Sequence, residues 1–269
     1  VNTGVVTISG ATKVFVIIGH PIAQVRSPEY FNDYFAKKGL DAVLVPLDVH
    51  PDDVRASLAA LKRVANLHGI IATVPHKATL MEATDRLTDR ARLAGGVNVA
   101  KRNDDGTWTG DMLDGAGFVR GLRARRVNPK GAIVHMVGAG GVGRAIAVSL
   151  AEAGIASLNV WDLDWYRTQA LTTAVSSRFP DVHVRPERGN AAQATIVINA
   201  TPLGMRPEDP LPVDIDQLNP STIACDVISK PVMSKYLLAA ERRGCTVVTG
   251  KDLFEGQAIA MAEFFGWRL

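Results

Sequence analysis

Short apolar runs rich in β-branched residues alternate along the chain with stretches whose apolar positions recur at helical spacing. Val14–Ile18 reads as a buried strand, Pro28–Lys38 as a helix ended by Gly39, and Ala42–Pro46 as a second strand. Pro51–Ala65 predicts a helix, because Pro51 suits a first turn and Val54, Leu58, Leu61 and Ala65 fall on one face. Gly69–Val74 reads as a third strand. Strands separated by helices of this length imply parallel pairing in βαβ units.

The pattern is clearer further on. Ala132–Val137 predicts a strand, Gly138–Gly143 a glycine turn, Arg144–Ala153 a helix closed by Gly154, and Ser157–Trp161 the next strand. Val182–Val184, Thr195–Asn199, Thr222–Asp226 and Thr246–Val248 are expected as further strands of the same sheet, and Glu255–Phe264 as a final helix. A domain boundary is expected near Gly115–Gly117. No internal repeat is visible.

Composition narrows the class. The chain has 269 residues, and at roughly 150 residues per domain this points to two domains or one large one. With 47% apolar and 21% charged residues it has ample side chain to bury, which excludes intrinsic disorder. Thirty basic against 27 acidic residues leave only +3, no footprint for nucleic acid. The run of Arg120, Arg123, Arg125, Arg126 and Lys130 lacks interleaved aromatics and is expected as a solvated helix face. Cys225 and Cys245 cannot build a disulfide framework or a four-thiolate metal site, and the six histidines show no metal-ligand spacing. No stretch approaches the roughly 18 apolar residues of a membrane span. Val14–Ile18 is too short for a signal sequence and no small-residue cleavage pattern follows it. The expectation is a cytoplasmic α/β protein without nucleic acid, membrane or metal.

Gly138-Ala139-Gly140-Gly141-Val142-Gly143 fits G-x-G-x-x-G in the context that gives the motif meaning, after an apolar strand and opening a helix. Glycines there permit a tight turn and close approach of a pyrophosphate, while the helix N–H groups and dipole favour its charge. Asp162 ends the following strand, where a carboxylate can accept hydrogen bonds from ribose hydroxyls and repel a 2′-phosphate. The stretch Trp161-Asp162-Leu163-Asp164 contains no base, so NAD is the expected cofactor and NADP the alternative.

Gly19-His20-Pro21-Ile22-Ala23-Gln24-Val25-Arg26-Ser27-Pro28 and Thr73-Val74-Pro75-His76-Lys77 resemble segments of the shikimate/quinate dehydrogenase family, and the resemblance runs over essentially the whole chain. The first is similar to that family's G-x-P-I-x-H-S-x-S-P loop, and the second to the end of its N-V-T-x-P-H/F-K segment. Gly95-Gly96-Val97-Asn98 resembles G-A-V-N, and Gly110-Asp111-Met112-Leu113-Asp114-Gly115 resembles G-x-N-T-D-x. Asn199-Ala200-Thr201-Pro202-Leu203-Gly204-Met205 is nearly identical to N-A-T-P-x-G-M, and Gly250 to Gln257 matches the frame of G-x-x-M-L-x-x-Q.

The resemblance implies a Rossmann-type nucleotide domain, residues 115–248, inserted into a smaller α/β catalytic domain, residues 1–114 and 249–269, with a cleft between them. It implies Lys77 and Asp114 as the proton-handling pair of an alcohol oxidation. Ser27, Thr73, Asn98 and Gln257 would bind the substrate, a small cyclic hydroxy acid or polyol. Gly138, Gly140, Gly141, Val142, Gly143, Asp162, Val227 and Gly250 would bind the cofactor. His76 beside Lys77 is expected in a packing or supporting role.

Departures from the family pattern fall at one end of the implied site. Two serines of the substrate loop appear as Val25 and Ser27, and the family tyrosine before K/N-P-x-x-T appears as Ser229. In the family these hydroxyls hold the substrate carboxylate. The asparagine of N-V-T is Ile71, and the N-T before the aspartate is Met112-Leu113. Each lost contact weakens binding by about 1–3 kcal/mol. The expectation is an NAD-preferring dehydrogenase with a shifted substrate, Arg26 being a candidate replacement for the carboxylate contact. A non-catalytic NAD-binding regulator with a degraded pocket is the alternative. An unrelated Rossmann enzyme, such as a folate-linked dehydrogenase, explains the glycine turn but not Ser27-Pro28, Pro75-His76-Lys77 and Gln257 together.

Overall fold

The apolar run at Val14–Ile18 is the middle of β1 (Lys13–Gly19), whose last residues are buried. The structure, a computed structural model, describes residues 8–188 and 190–267. The chain divides into two compact units, Val1–Met112 with Met261–Leu269, and Leu113–Ala260. Leu113, Asp114 and the stretch 249–260, expected with the catalytic domain, thus fall in the second unit.

In the first unit β1 is followed by α1 (Ser27–Lys38), β2 (Ala42–Asp48), α2 (Val54–Leu61), β3 (Leu67–Ala72), α3 (Lys77–Glu82), β4 (Arg86–Leu87), α4 (Asp89–Ala94), β5 (Val99–Arg102) and β6 (Trp108–Asp111). Pro28 occupies the first turn of α1, and Gly39 ends it in the left-handed region at φ 62°. The sheet runs β2-β1-β3-β5-β6-β4. β1 pairs parallel with β2 and β3, as the βαβ pattern requires, but β5 is antiparallel to both β3 and β6. The antiparallel hairpin adds two strands where the sequence pattern predicted none. It turns at Asp105-Gly106, where Gly106 has φ 81° and its N–H donates to Asn103 O at 3.0 Å. α2 is shorter than Pro51–Ala65, because i→i−3 bonds at Arg63 and Val64 bend the chain into β3.

The second unit contains α5 (Asp114–Ala124), β7 (Ile133–Val137), α6 (Gly141–Glu152), β8 (Ser157–Trp161), α7 (Trp165–Arg178), β9 (His183–Pro186), β10 (Ile196–Asn199), β11 (Ile223–Asp226), α8 (Lys235–Arg242), β12 (Thr246–Val248) and the start of α9 (Gly250–Phe265). Its sheet is wholly parallel in the order β12-β11-β10-β7-β8-β9. Counted within the unit from β9 this is 3-2-1-4-5-6, the dinucleotide-binding order, with its topological switch between β7 and β10. Val134, Met136, Ile146, Leu150, Leu158, Val160 and Ile198 lie in its main core. The boundary expected at Gly115–Gly117 lies inside α5. Those glycines are packing positions: a Cβ at Gly115 would stand 1.9 Å from Ala145 O of α6.

Candidate active site

In the first unit, backbone pairing gathers Thr73, Lys77 and Asn98 at the carboxyl edge of β1 and β3. Thr73 N–H donates to Ile18 O at 2.9 Å, and Thr73 O accepts from His76 N–H at 2.9 Å. Lys77 opens α3, its carbonyl accepting from Val97 N–H at 3.0 Å. Asn98, fully buried, donates its backbone N–H to Asp111 O (3.0 Å) and accepts from Ala72 N–H (2.8 Å). Ser27, also buried, opens α1 on the connection that leaves the same end of β1. His76 has the expected supporting place: its buried ring donates from Nε2 to Val49 O at 2.7 Å, tying the turn before Lys77 to the end of β2.

The positions that depart from the family pattern are mostly apolar and inside. Ile71 in β3, Met112 and Leu113 are buried, and Val25 is half-buried. Met112 Cε and Lys77 Cβ both face Gly96, at 2.9 and 3.6 Å from where a Cβ would stand. Arg26 and Ser229 are exposed.

In the second unit Asp114 is the first residue of α5 and is buried, and Gln257 of α9 donates from Nε2 to its Oδ1. The candidate cofactor residues lie along the carboxyl edge of neighbouring strands: the glycine turn after β7, Asp162 after β8, Val227 after β11, and Gly250 after β12. Val142 is in the first turn of α6.

The glycines of the turn divide by environment. Gly138 has φ 108°, and a Cβ there would stand 2.7 Å from Ala200 C and O; at Gly143 it would stand 2.2 Å from Gly138 O. At Gly140 and Gly141 a Cβ would meet no protein atom within 4 Å. Packing therefore demands the first pair and not the second, and the open second pair leaves room for a pyrophosphate to approach the backbone at the N-terminus of α6. The site fits a dinucleotide. Its floor is braced by Asn199, whose Nδ2 donates to Leu203 O (2.8 Å) and to Asp226 Oδ1 (3.1 Å), with Ser234 Oγ donating to Asp226 Oδ2 at 2.6 Å. Burial raises the Asp226 pKa against the pull of those hydrogen bonds. Gly250 abuts this floor, since a Cβ there would stand 2.2 Å from Ile228 O.

Asp162 also works within the fold: Oδ2 accepts from Ala139 N–H at 2.7 Å and Oδ1 from Asp164 N–H at 2.9 Å. It lines a cavity of about 1070 Å³ with Trp161, Leu163, Thr201, Pro202 and Leu203. Arg167 and Arg188 line the same cavity, which corrects the expectation of a surrounding free of bases. Arg167 lies a turn into α7, paired with Asp164 at 3.1 Å, and Arg188 arrives from beyond β9 to stack 4.7 Å over the Trp161 ring. The Trp161–Leu163 stretch could not reveal Arg188; only strand order does. Among the described residues no group of three His, Cys, Asp or Glu could hold a metal ion, and no helix is long and apolar enough to cross a membrane.

Comparison with known proteins agrees with this architecture. Residues 17–100 match the model of the shikimate dehydrogenase substrate binding domain. A shikimate dehydrogenase (NADP(+)) of Rubrobacter xylanophilus is 38% identical over 256 residues, covering 94% of this chain and 90% of the relative. The chain belongs to the shikimate dehydrogenase family. Shikimate 5-dehydrogenase from Listeria monocytogenes, solved with shikimate and NAD, superposes with a TM-score of 0.90 at 28% identity, over 97% of this chain and 94% of that one. The 5-ketofructose reductase of Gluconobacter sp. strain CHM43 superposes at 0.87 with 27% identity, over 96% and 94%. Family membership makes the chain an NAD(P)-dependent oxidoreductase with the two-domain Rossmann-like fold of shikimate dehydrogenases.

Proposed function

We propose that this shikimate dehydrogenase family member transfers hydride reversibly between a nicotinamide cofactor, NAD in preference to NADP, and a ring hydroxyl of shikimate, quinate or a related cyclic polyol. The observation that carries the reading is a contrast. Lys77, Asn98, Thr73 and the Asp114–Gln257 hydrogen bond are all kept, whereas the positions that would anchor a carboxylate hold Val25, Ile71, Met112, Leu113 and Ser229. Buried polar groups such as Asp114 and Asn98 are expensive to keep without a use.

In this reading Gly138–Gly143, Val227 and Gly250 would hold the cofactor, which would supply the hydride acceptor. Lys77 takes the hydroxyl proton at Nζ as the carbonyl forms, and Asp114, oriented by Gln257, balances the charge and orients the reacting oxygen. Asn98, Thr73 and Ser27 hold other hydroxyls; an amide can both donate and accept. The NAD preference rests on Asp162, a carboxylate held against the glycine turn where it repels a 2′-phosphate. Arg167 is engaged by Asp164 and Arg188 by Trp161. The similarity to a reductase of 5-ketofructose, a sugar without a carboxylate, supports a substrate that does not need the missing anchors.

The test is a kinetic panel of shikimate, quinate and carboxylate-free cyclic polyols, followed by formation of reduced cofactor, for the wild type and Lys77→Ala. Turnover of at least one compound is expected, with Lys77→Ala lowering it by roughly 10²–10⁴. Saturable NAD binding without turnover of any of them refutes the reading and favours a regulator. An unchanged rate in Lys77→Ala refutes the assigned pair.

A further inference from the structure

The amino ends of β1, β2 and β3 and the end of the antiparallel β5 lie at the edge of the first sheet opposite Thr73 and Lys77. A cavity of about 330 Å³ opens there, lined by Lys13, His68, Lys101 and Arg102, by Asp41, and by the rings of Phe15, Phe265 and Trp267.

Its apolar wall is built, not incidental. Gly69 in β3 has no side chain where a Cβ would stand 2.5 Å from Phe265 Cε1 and 2.6 Å from Phe15 Cδ1, so both rings close over the strand. α9 then ends in a Schellman turn. Gly266, at φ 73°, donates to Glu263 O (3.1 Å), and Trp267 donates to Ala262 O (2.8 Å). The turn returns the Trp267 indole onto Phe265 at 4.8 Å, nearly parallel, and edge-on to Phe15 at 5.0 Å.

The rim is cationic. Lys101 Nζ lies 5.3 Å over the Phe264 ring, and Arg102 donates from Nη1 to Val64 O at 2.8 Å. Among the described residues, Lys13, Lys101 and Arg102 are not paired with any carboxylate. Asp41 is the cavity's acid, with Oδ1 occupied by Thr12 Oγ1 at 2.7 Å. Burial lowers the pKa of His68, and the charges of Lys13 and Arg102 lower it further, which registers the positive potential in the cavity. The partial negative charge at the C-terminus of α9 opposes that potential but is smaller than the three full charges.

We propose that this cavity is a second binding site, separate from the dehydrogenase site, for a small anion of one class: a carboxylate carried on an aromatic ring. The ring would lie against Phe265 and Trp267, and the carboxylate would meet Lys13, Lys101 and Arg102. This does not rest on the cofactor or substrate reading.

Titration calorimetry of the full chain with benzoate, benzyl alcohol and inorganic phosphate tests it. Saturable benzoate binding is expected, with the uncharged and ringless probes weaker by about tenfold or more. Arg102→Ala and Lys13→Ala should each weaken benzoate by about tenfold, while Lys77→Ala leaves it unchanged. Asp41→Asn should tighten binding, an effect of opposite sign that loss of structure does not produce. The proposal is overturned if benzoate does not saturate, if phosphate binds as well as benzoate, or if Lys77→Ala abolishes binding and Arg102→Ala does not. It is equally overturned if the cation variants lower only the melting temperature, which would make the charges a cap for the end of α9.

Discussion

Replacing one methylene hydrogen by a methyl group at two glycines of the same turn should give opposite results. Gly140 has φ −70° and ψ −174°, a conformation open to any residue, and a Cβ there meets nothing within 4 Å. Gly140→Ala should therefore raise stability by about 0.4–1 kcal/mol through the unfolded chain. At Gly143 the added carbon would stand 2.2 Å from Gly138 O, and Gly138 lies so close to Ala200 that a Cβ on it would stand 2.7 Å from the Ala200 backbone, so the turn has little room to retreat. Gly143→Ala should cost about 1–3 kcal/mol or more by overpacking, lowering the melting temperature by roughly 2–12 °C. Dinucleotide binding separates the two further. Ligand at a hundred times its Kd stabilises the wild type by about 2.7 kcal/mol. Gly140→Ala, with a methyl group where the pyrophosphate approaches, should lose about tenfold to a hundredfold in affinity. Thermal melts with and without NAD, and calorimetry on both variants, measure these terms. Wild-type NAD affinity in Gly140→Ala would falsify the reason given for that glycine, and an unshifted melt in Gly143→Ala would refute the packing argument.

Gln257→Leu removes the donor to a buried carboxylate; denaturant melts should show a loss of about 1–3 kcal/mol, with kcat falling alongside. Val25→Ser combined with Ser229→Tyr should raise kcat/KM for shikimate by about tenfold or more per restored contact, read by steady-state kinetics. Burial lowers the His135 pKa, Glu187 opposing, so the unfolded state takes up the proton first as pH falls. This contribution is full above about pH 6.5, the unfolded value, and is lost as pH falls from there towards the folded value. Melting temperature should therefore drop more steeply below about pH 6.5 in the wild type than in His135→Leu; parallel curves refute it.

Local signals in the sequence carried the nucleotide unit well, because a strand, glycine turn and helix announce themselves within a few residues. Gly138–Gly143, Asp162 at the end of β8 and the strands β10 to β12 all stand within a residue or so of their expected places. Failures came where long-range packing decides. Gly115 and Gly117 read as a domain boundary in sequence, yet they let α5 touch α6 and α9. The hairpin of β5 and β6 is too short to show periodicity, although Asp105-Gly106 marks its turn. Arg188 comes to Trp161 because β9 lies beside β8, a neighbour relation that spacing along the chain does not encode.

The central claim is a kept reacting set with altered anchors and an NAD-directed cofactor site. It is tested most directly by kcat/KM for shikimate and for quinate, each measured with NAD and with NADP on the wild type. The account predicts higher values with NAD for every substrate turned over, and shikimate as a poor substrate. Efficient NADP-linked oxidation of shikimate, exceeding the NAD-linked rate, would contradict both halves of it.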